Sequence, residues 1–194
     1  MIKLIKNFSL IFVFLLTIYS NQSSQSKASS DKVVTVKVFS SLTCPHCASF
    51  HDEVFKNLEK DFINKGLVKF EHKAFPLDLA ALNAEKILRC KSSSKINLQF
   101  LSEIYKKQNK WAVGSDINII NDSLKEIGKS FNLTYDEMDK CLENKSIEDE
   151  ILNNRIEYQK NYKISSTPTV YVNKEKYEGK IKYKDFKKII EKSL

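Results

Sequence analysis

Two cysteines separated by two residues, Cys44-Pro45-His46-Cys47, are the side chains whose type and spacing most directly permit chemistry. Three uses compete for such a pair: a dithiol that cycles through a disulfide, half of a zinc site, or a plain structural staple. Zinc needs a second ligand pair at short spacing. Cys90 and Cys141 stand far apart in the chain, and beyond His46 the only imidazoles are His51 and His72. No metal site is therefore expected.

The flanking residues favour redox chemistry. Upstream, Val33-Val34-Thr35-Val36-Lys37-Val38-Phe39 is rich in β-branched residues and apolar on both faces towards its end, the pattern of a buried strand. Downstream, Phe50, Val54, Leu58 and Phe62 recur every four residues and Gly66 supplies a stop, which predicts a helix. The dithiol thus falls where a strand turns into a helix. Unpaired N–H groups and the positive dipole end of that helix would stabilise an anion on Cys44. Pro45 suits the first helical turn, and His46 is expected to tune the thiolate as a donor or a positive charge. Cys47, one turn on and facing inward, is placed to resolve rather than to attack.

The size of the effect decides its direction. Free cysteine titrates at about 8.5, and thiols in this motif reach roughly 3.5 to 7. A Cys44 pKa of ~5.5 would favour the reduced form by about 2 kcal/mol at neutral pH. That makes the pair about 45 mV more oxidising and biased towards giving its disulfide away.

A second element lies near the other end, in Ile164-Ser165-Ser166-Thr167-Pro168-Thr169-Val170-Tyr171-Val172. Alone it reads as a proline-initiated strand. Paired with the upstream motif, it predicts a cis Thr167-Pro168 bond beside the disulfide, with Thr167 backbone groups free to pair with an extended peptide.

Four segments, in order, resemble the motifs of the DsbA-like thiol:disulfide oxidoreductases, in their alphaproteobacterial branch. They are Cys44-Pro45-His46-Cys47-Ala48-Ser49-Phe50-His51, Phe75-Pro76-Leu77-Asp78, Leu88-Arg89-Cys90 and Ser166-Thr167-Pro168-Thr169. The resemblance spans roughly residues 32 to 194. It implies an α/β, thioredoxin-like fold with an inserted α-helical domain. It also implies donation of the Cys44-Cys47 disulfide to reduced or unfolded exported proteins, no cofactor, and reoxidation by a quinone-linked, DsbB-like membrane partner. Two positions depart from the pattern. Val38 stands where some members carry a buried acid, and Glu71-His72 make the next strand unusually polar, so no general base is assigned. His51 reads as structural, and His72 is assigned no role.

Cys90 and Cys141 both fall on apolar-periodic segments, consistent with two buried thiols or a structural disulfide. Relatives in this branch also carry a second pair, which favours the disulfide. Closing a loop of about fifty residues would stabilise by roughly 4 kcal/mol in the chain-entropy model.

The elements that must position these residues fit a chain of 194 residues, enough for one domain with a substantial insertion. Lys3 and Lys6 precede an apolar stretch from Leu10 to Leu16, a signal-peptide layout, so export to the periplasm is expected. The expected organisation is a signal at 1–20 with cleavage between 20 and 28, a polar linker at 21–32, and a thioredoxin-like part at 33–76. A helical insert at 77–145 and a second thioredoxin-like part at 146–194 follow. Within the insert, helices are expected around Ala80 to Leu88, Ile96 to Ile104 and Ile120 to Phe131, then a capping box Thr134-x-x-Glu137 before Met138 and Cys141. Trp111 reads as core. After Pro168, Thr169 to Val172 and Lys176 to Gly179 read as a hairpin about Asn173-Lys174, before a helix with Tyr183, Phe186, Ile189 and Ile190.

Hydrophobic residues make up 42% of the chain, with only 4 glycines and 3 prolines, which excludes collagen-like and low-complexity classes. The net charge of +8 comes from interleaved charges of both signs, so no nucleic-acid partner is expected. Nothing in the pattern demands more than a monomer. Two rival functions use the same residues: a disulfide isomerase or reductase, for which residues 21–32 are too short to supply a dimerisation module, and a non-enzymatic chaperone or binding module with the dithiol as a staple.

Overall fold

The computed structural model describes residues 33–91 and 97–194. The expected signal and linker, and Ile96, lie outside the described residues. Four strands form one sheet in the order β2-β1-β3-β4. Strand β1 (Val34–Ser40) runs parallel to β2 (Val68–Ala74) and antiparallel to β3 (Thr169–Val172), which pairs antiparallel with the short β4 (Glu175–Lys176). The hairpin turns at Asn173-Lys174 as expected. Its second strand is displaced, however, ending at Lys176 and leaving Gly179 in a loop. Asn173 holds a left-handed backbone (φ 55°) and accepts a hydrogen bond from the Thr35 N–H, which ties the turn to β1.

Helix α1 spans residues 45–63 and departs from the simple expectation. Two stretches, His51–Phe55 and Glu59–Ile63, are π-helical, alternating with α-helical Pro45–Phe50 and Lys56–Leu58. The Lys56 and Asn64 N–H groups accordingly reach back five residues, to His51 O and Glu59 O. A regular α-helix turns once per about 3.6 residues, so a strict four-residue repeat would drift around it. Wider π turns lengthen the mean repeat towards four. Phe50, Val54, Leu58 and Phe62 therefore remain in one buried row.

That row packs on Val34, Val36 and Val38 of β1 together with Phe186 and Ile190 of α8 (Tyr183–Ser193). The opposite face of the sheet is covered by α7 (Lys145–Tyr162), whose Tyr158 and Tyr162 surround the fully buried Phe39. Between β2 and α7 lie α2 (Leu79–Leu88), α3 (Leu98–Lys106), the short α4 (Gln108–Trp111), α5 (Ile117–Lys129) and α6 (Tyr135–Glu143). Asp78 and Asn97 cap α2 and α3, and Thr134 with Glu137 completes the expected capping box of α6. Trp111 is buried, as its composition suggested, on a four-residue helix that periodicity did not reveal. These inserted helices share one apolar cluster with Leu42, Cys44 and Cys47, so residues Lys32–Leu194 form one compact unit.

Cys90 and Cys141 are joined by a disulfide. Cys90 lies just beyond the end of α2, not on the helix as its spacing suggested, because α2 closes at Arg89. The crosslink joins the end of α2 to α6 across 51 residues of sequence. Replacing both cysteines by alanine should lower unfolding free energy by at most about 4 kcal/mol, read from denaturant midpoints. An unchanged midpoint would show that the crosslink constrains nothing the fold needs.

Candidate active site

The site forms where β1 ends and α1 begins. Cys44 is the N-cap of α1, with an extended backbone (φ −77°, ψ 120°), and Pro45 occupies the first turn. Its sulfur therefore lies at the exposed N–H groups of the helix, and the His46 and Cys47 backbone N–H groups both act to stabilise its anion. Cys44 is 8% exposed and Cys47 1%. Both are free thiols.

The two thiols have opposite acidities. Cys44 is lowered from 9.0 to about 5, first by the hydrogen bond from the Cys47 thiol, against a partly opposing burial; Thr167 and the backbone donors of Cys47 and His46 add to the lowering. Cys47 is pushed far up, first by burial and then by its hydrogen bond and charge interaction with Cys44. The pair thus shares one negative charge, held on the outer sulfur. The His46 backbone N–H contributes to this lowering, and the His46 side chain is exposed. Pro45 is exposed beside it.

The Thr167-Pro168 peptide bond is cis, and the loop carrying it lies against the dithiol. Cys44 Sγ stands 3.4 Å from the Thr167 carbonyl oxygen, to which the neutral thiol donates. The Thr167 hydroxyl is buried without a conventional hydrogen bond, and its proximity lowers the pKa of both cysteines.

The loop from Ser40 to Cys44 is held from three sides, by Gln108, Asp78 and Tyr105. Gln108 donates its amide to Leu42 O at 2.7 Å and Cys44 O at 3.1 Å. Thr43 donates to Asp78 Oδ2 at 2.7 Å, and Tyr105 donates to Ser41 O at 3.5 Å. Asp78 was legible as a helix cap, since an acid precedes an apolar-periodic run. Gln108 and Tyr105 carried no such signal, because they reach the site only through the docking of α3 and α4.

His51 is buried and stacked between Phe55 and Tyr105, with ring centroids 4.2 and 4.5 Å away. Burial, with smaller contributions from the charges of His72 and Lys56, lowers it to about 3, so it stays neutral. His51 is thus a packed aromatic group, in line with its structural reading. No group of three or more potential metal ligands occurs among the described residues.

The family model described as Thioredoxin matches residues 26–192. The chain belongs to the thioredoxin family. Within it, the chain is DsbA-like. It is 30% identical over 175 residues to disulfide bond formation protein D of Bacillus subtilis, covering 84% of this chain and 74% of that protein. The crystal structure of Wolbachia pipientis alpha-DsbA1 superposes with a TM-score of 0.73 at 26% identity, covering 82% of this chain and 85% of that one. A Rickettsia bellii protein, provisionally named a protein-disulfide oxidoreductase, is 32% identical over 142 residues, covering 73% of this chain. This thioredoxin-family chain spans 53% of that relative's length.

Thiolate absorbance of the reduced protein should titrate with a midpoint at about pH 5. Cys47→Ala should move that midpoint upward, because it removes the largest lowering partner. A depressed thiol pKa stabilises the folded dithiol form fully above the ordinary 9.0 and loses that contribution as pH falls through about 5. Melting temperature should therefore drop more on acidification through that window for the reduced protein than for the oxidised one. Equal slopes for the two forms would refute a stabilised thiolate.

Proposed function

We propose that this chain is an exported thiol:disulfide oxidoreductase that donates its Cys44-Cys47 disulfide to folding proteins in the periplasm. The observation that carries the reading is the opposed acidity of the two thiols: Cys44 lowered to about 5 and Cys47 driven far up by burial. A dithiol that holds its negative charge comfortably is stable reduced, so its disulfide is a strong oxidant.

The reaction proceeds in two exchanges. A client thiolate attacks Cys44 Sγ of the disulfide, the bond between Cys44 and Cys47 breaks, and Cys47 leaves with the electron pair and takes up a proton. A second client thiolate then attacks the client sulfur of the mixed disulfide and expels Cys44. Its low pKa makes Cys44 a good leaving group. Two electrons pass from client to protein, and a quinone-linked, DsbB-like membrane partner would remove them.

The surroundings suit an unfolded client. Thr167 backbone groups beside the cis proline can pair with an extended peptide. Leu77 and Leu79, 54% and 56% exposed, flank the Asp78 that bonds Thr43 next to Cys44, and offer apolar contact without a deep pocket. Cys90 and Cys141 serve as a structural crosslink, and the monomer suffices for these steps.

Incubating the oxidised protein with a reduced two-cysteine peptide should yield peptide disulfide with one equivalent of reduced protein, and Cys44→Ala should abolish it. The reduced protein should also unfold at higher denaturant than the oxidised one. Greater stability of the oxidised form would instead assign the same site to a reductase.

A further inference from the structure

Charge is spread unevenly along the chain. Residues 33–173 carry 20 basic and 19 acidic side chains, whereas residues 174–194 carry eight lysines and four acids. This last segment comprises β4, the loop after it and α8. Among the described residues, only two of its lysines lie within ion-pair distance of a carboxylate: Lys176 with Glu178, and Lys187 with Asp61 and Glu191. Three of the others form a stripe. Lys184, Lys188 and Lys192 recur every four residues along α8, all exposed, on the side away from the buried Phe186 and Ile190. Ile189 and Leu194, 37% and 42% exposed, add apolar area beside it. The β3–β4 hairpin and α8 also border an open cavity of about 620 Å³ whose walls include Lys176, Lys180 and Lys188. Its acids are Glu178, taken up by Lys176, and Glu175 and Asp185.

The position of this surface gives it a direction. Asn173 bonds Thr35 through both its side chain and its N–H, so the hairpin turn with Lys174 stands at the end of the sheet where β1 begins. The cavity reaches from that turn to Ser193 in the last turn of α8. The chain enters the domain at the same end, at Val33, after the apolar stretch from Leu10 to Leu16 and the polar tract at 21–32. The dithiol stands at the other end of β1, a seven-residue strand about 20 Å long. An apolar segment joined at this end brings the lysines, and not the dithiol, to a bilayer.

We infer that the basic end formed by Lys174, Lys180, Lys184, Lys188 and Lys192 docks on an anionic phospholipid surface. The contact is electrostatic and peripheral. Phe186 and Ile190 belong to the core, so α8 has no broad apolar face to insert; its lysines meet headgroup phosphates, and Ile189 and Leu194 add shallow contact. A protein held this way keeps Cys44 turned towards solvent. No thiol takes part in the contact, which therefore holds or fails apart from the oxidoreductase reading.

Sedimentation with lipid vesicles is the test, using the protein purified after export. It should bind vesicles containing about one-third phosphatidylglycerol at ~0.05 M salt, release them at ~0.5 M, and ignore pure phosphatidylcholine. Each lysine near such a surface changes partitioning about fivefold, so Lys184→Gln, Lys188→Gln and Lys192→Gln combined should weaken binding about 100-fold. Arginine at the same three positions should retain it. The control triple Lys110→Gln, Lys140→Gln and Lys160→Gln removes equal charge from exposed lysines elsewhere and should leave binding unchanged. Equal binding to both lipids, binding that the α8 triple retains, or equal loss in the control triple overturns the inference. Absence of vesicle binding also overturns it, and retention on polyglutamate in its place assigns the lysines to an acidic protein partner. Disulfide donation to the reduced peptide should proceed at the parental rate in the α8 triple, so failure of donation in the parent protein would refute the oxidoreductase reading alone.

Discussion

Everything at this site depends on one electrostatic constraint: an anion on Cys44 must be cheaper than the neutral thiol, although the sulfur is largely withdrawn from water. Burial alone would do the opposite. The balance is reversed by the turn from β1 into α1, which places Cys44 at the N-cap and aims two backbone N–H groups and the Cys47 thiol at it. The rest of the fold secures that turn. The parallel β1–β2 ladder and the antiparallel β1–β3 ladder hold β1 on both sides, and Gln108, Tyr105 and Asp78 bind the loop from the inserted segment.

The inserted helices consequently belong to the chemistry as well as to the fold. Their apolar cluster includes both redox cysteines, so the wall that buries Cys47 is built from α2, α3, α5 and α6. That wall separates the two thiols' acidities.

Local regularity gives way where the site needs it. Helix α1 adopts π turns directly after Phe50, and the first of them begins at His51, which is buried against Tyr105. Such turns recur near functional positions because they re-aim side chains without ending the helix. Here they keep a four-residue apolar row facing the sheet over the whole length of residues 45–63.

The residue string alone determined what short-range physics controls. β-branching and apolar character on both faces marked β1, periodicity marked most of the helices, and a proline in the first turn placed Cys44 at a helix terminus, where spacing and dipole dictate its acidity. The string also displayed the second cysteine pair and the Thr-Pro element that resemble those of DsbA-like proteins. Packing between distant segments decided the rest. Glu85 reads as an ordinary helix acid, although its spacing from Ala81 and Leu88 puts it on the buried face of α2. Only docking of α2 against β2 shows that it meets His72. Gln108 and Tyr105 were hidden for the same reason. A hydrogen bond between residues sixty positions apart leaves no periodic trace, because its energy depends on where two elements pack and not on what either sequence prefers.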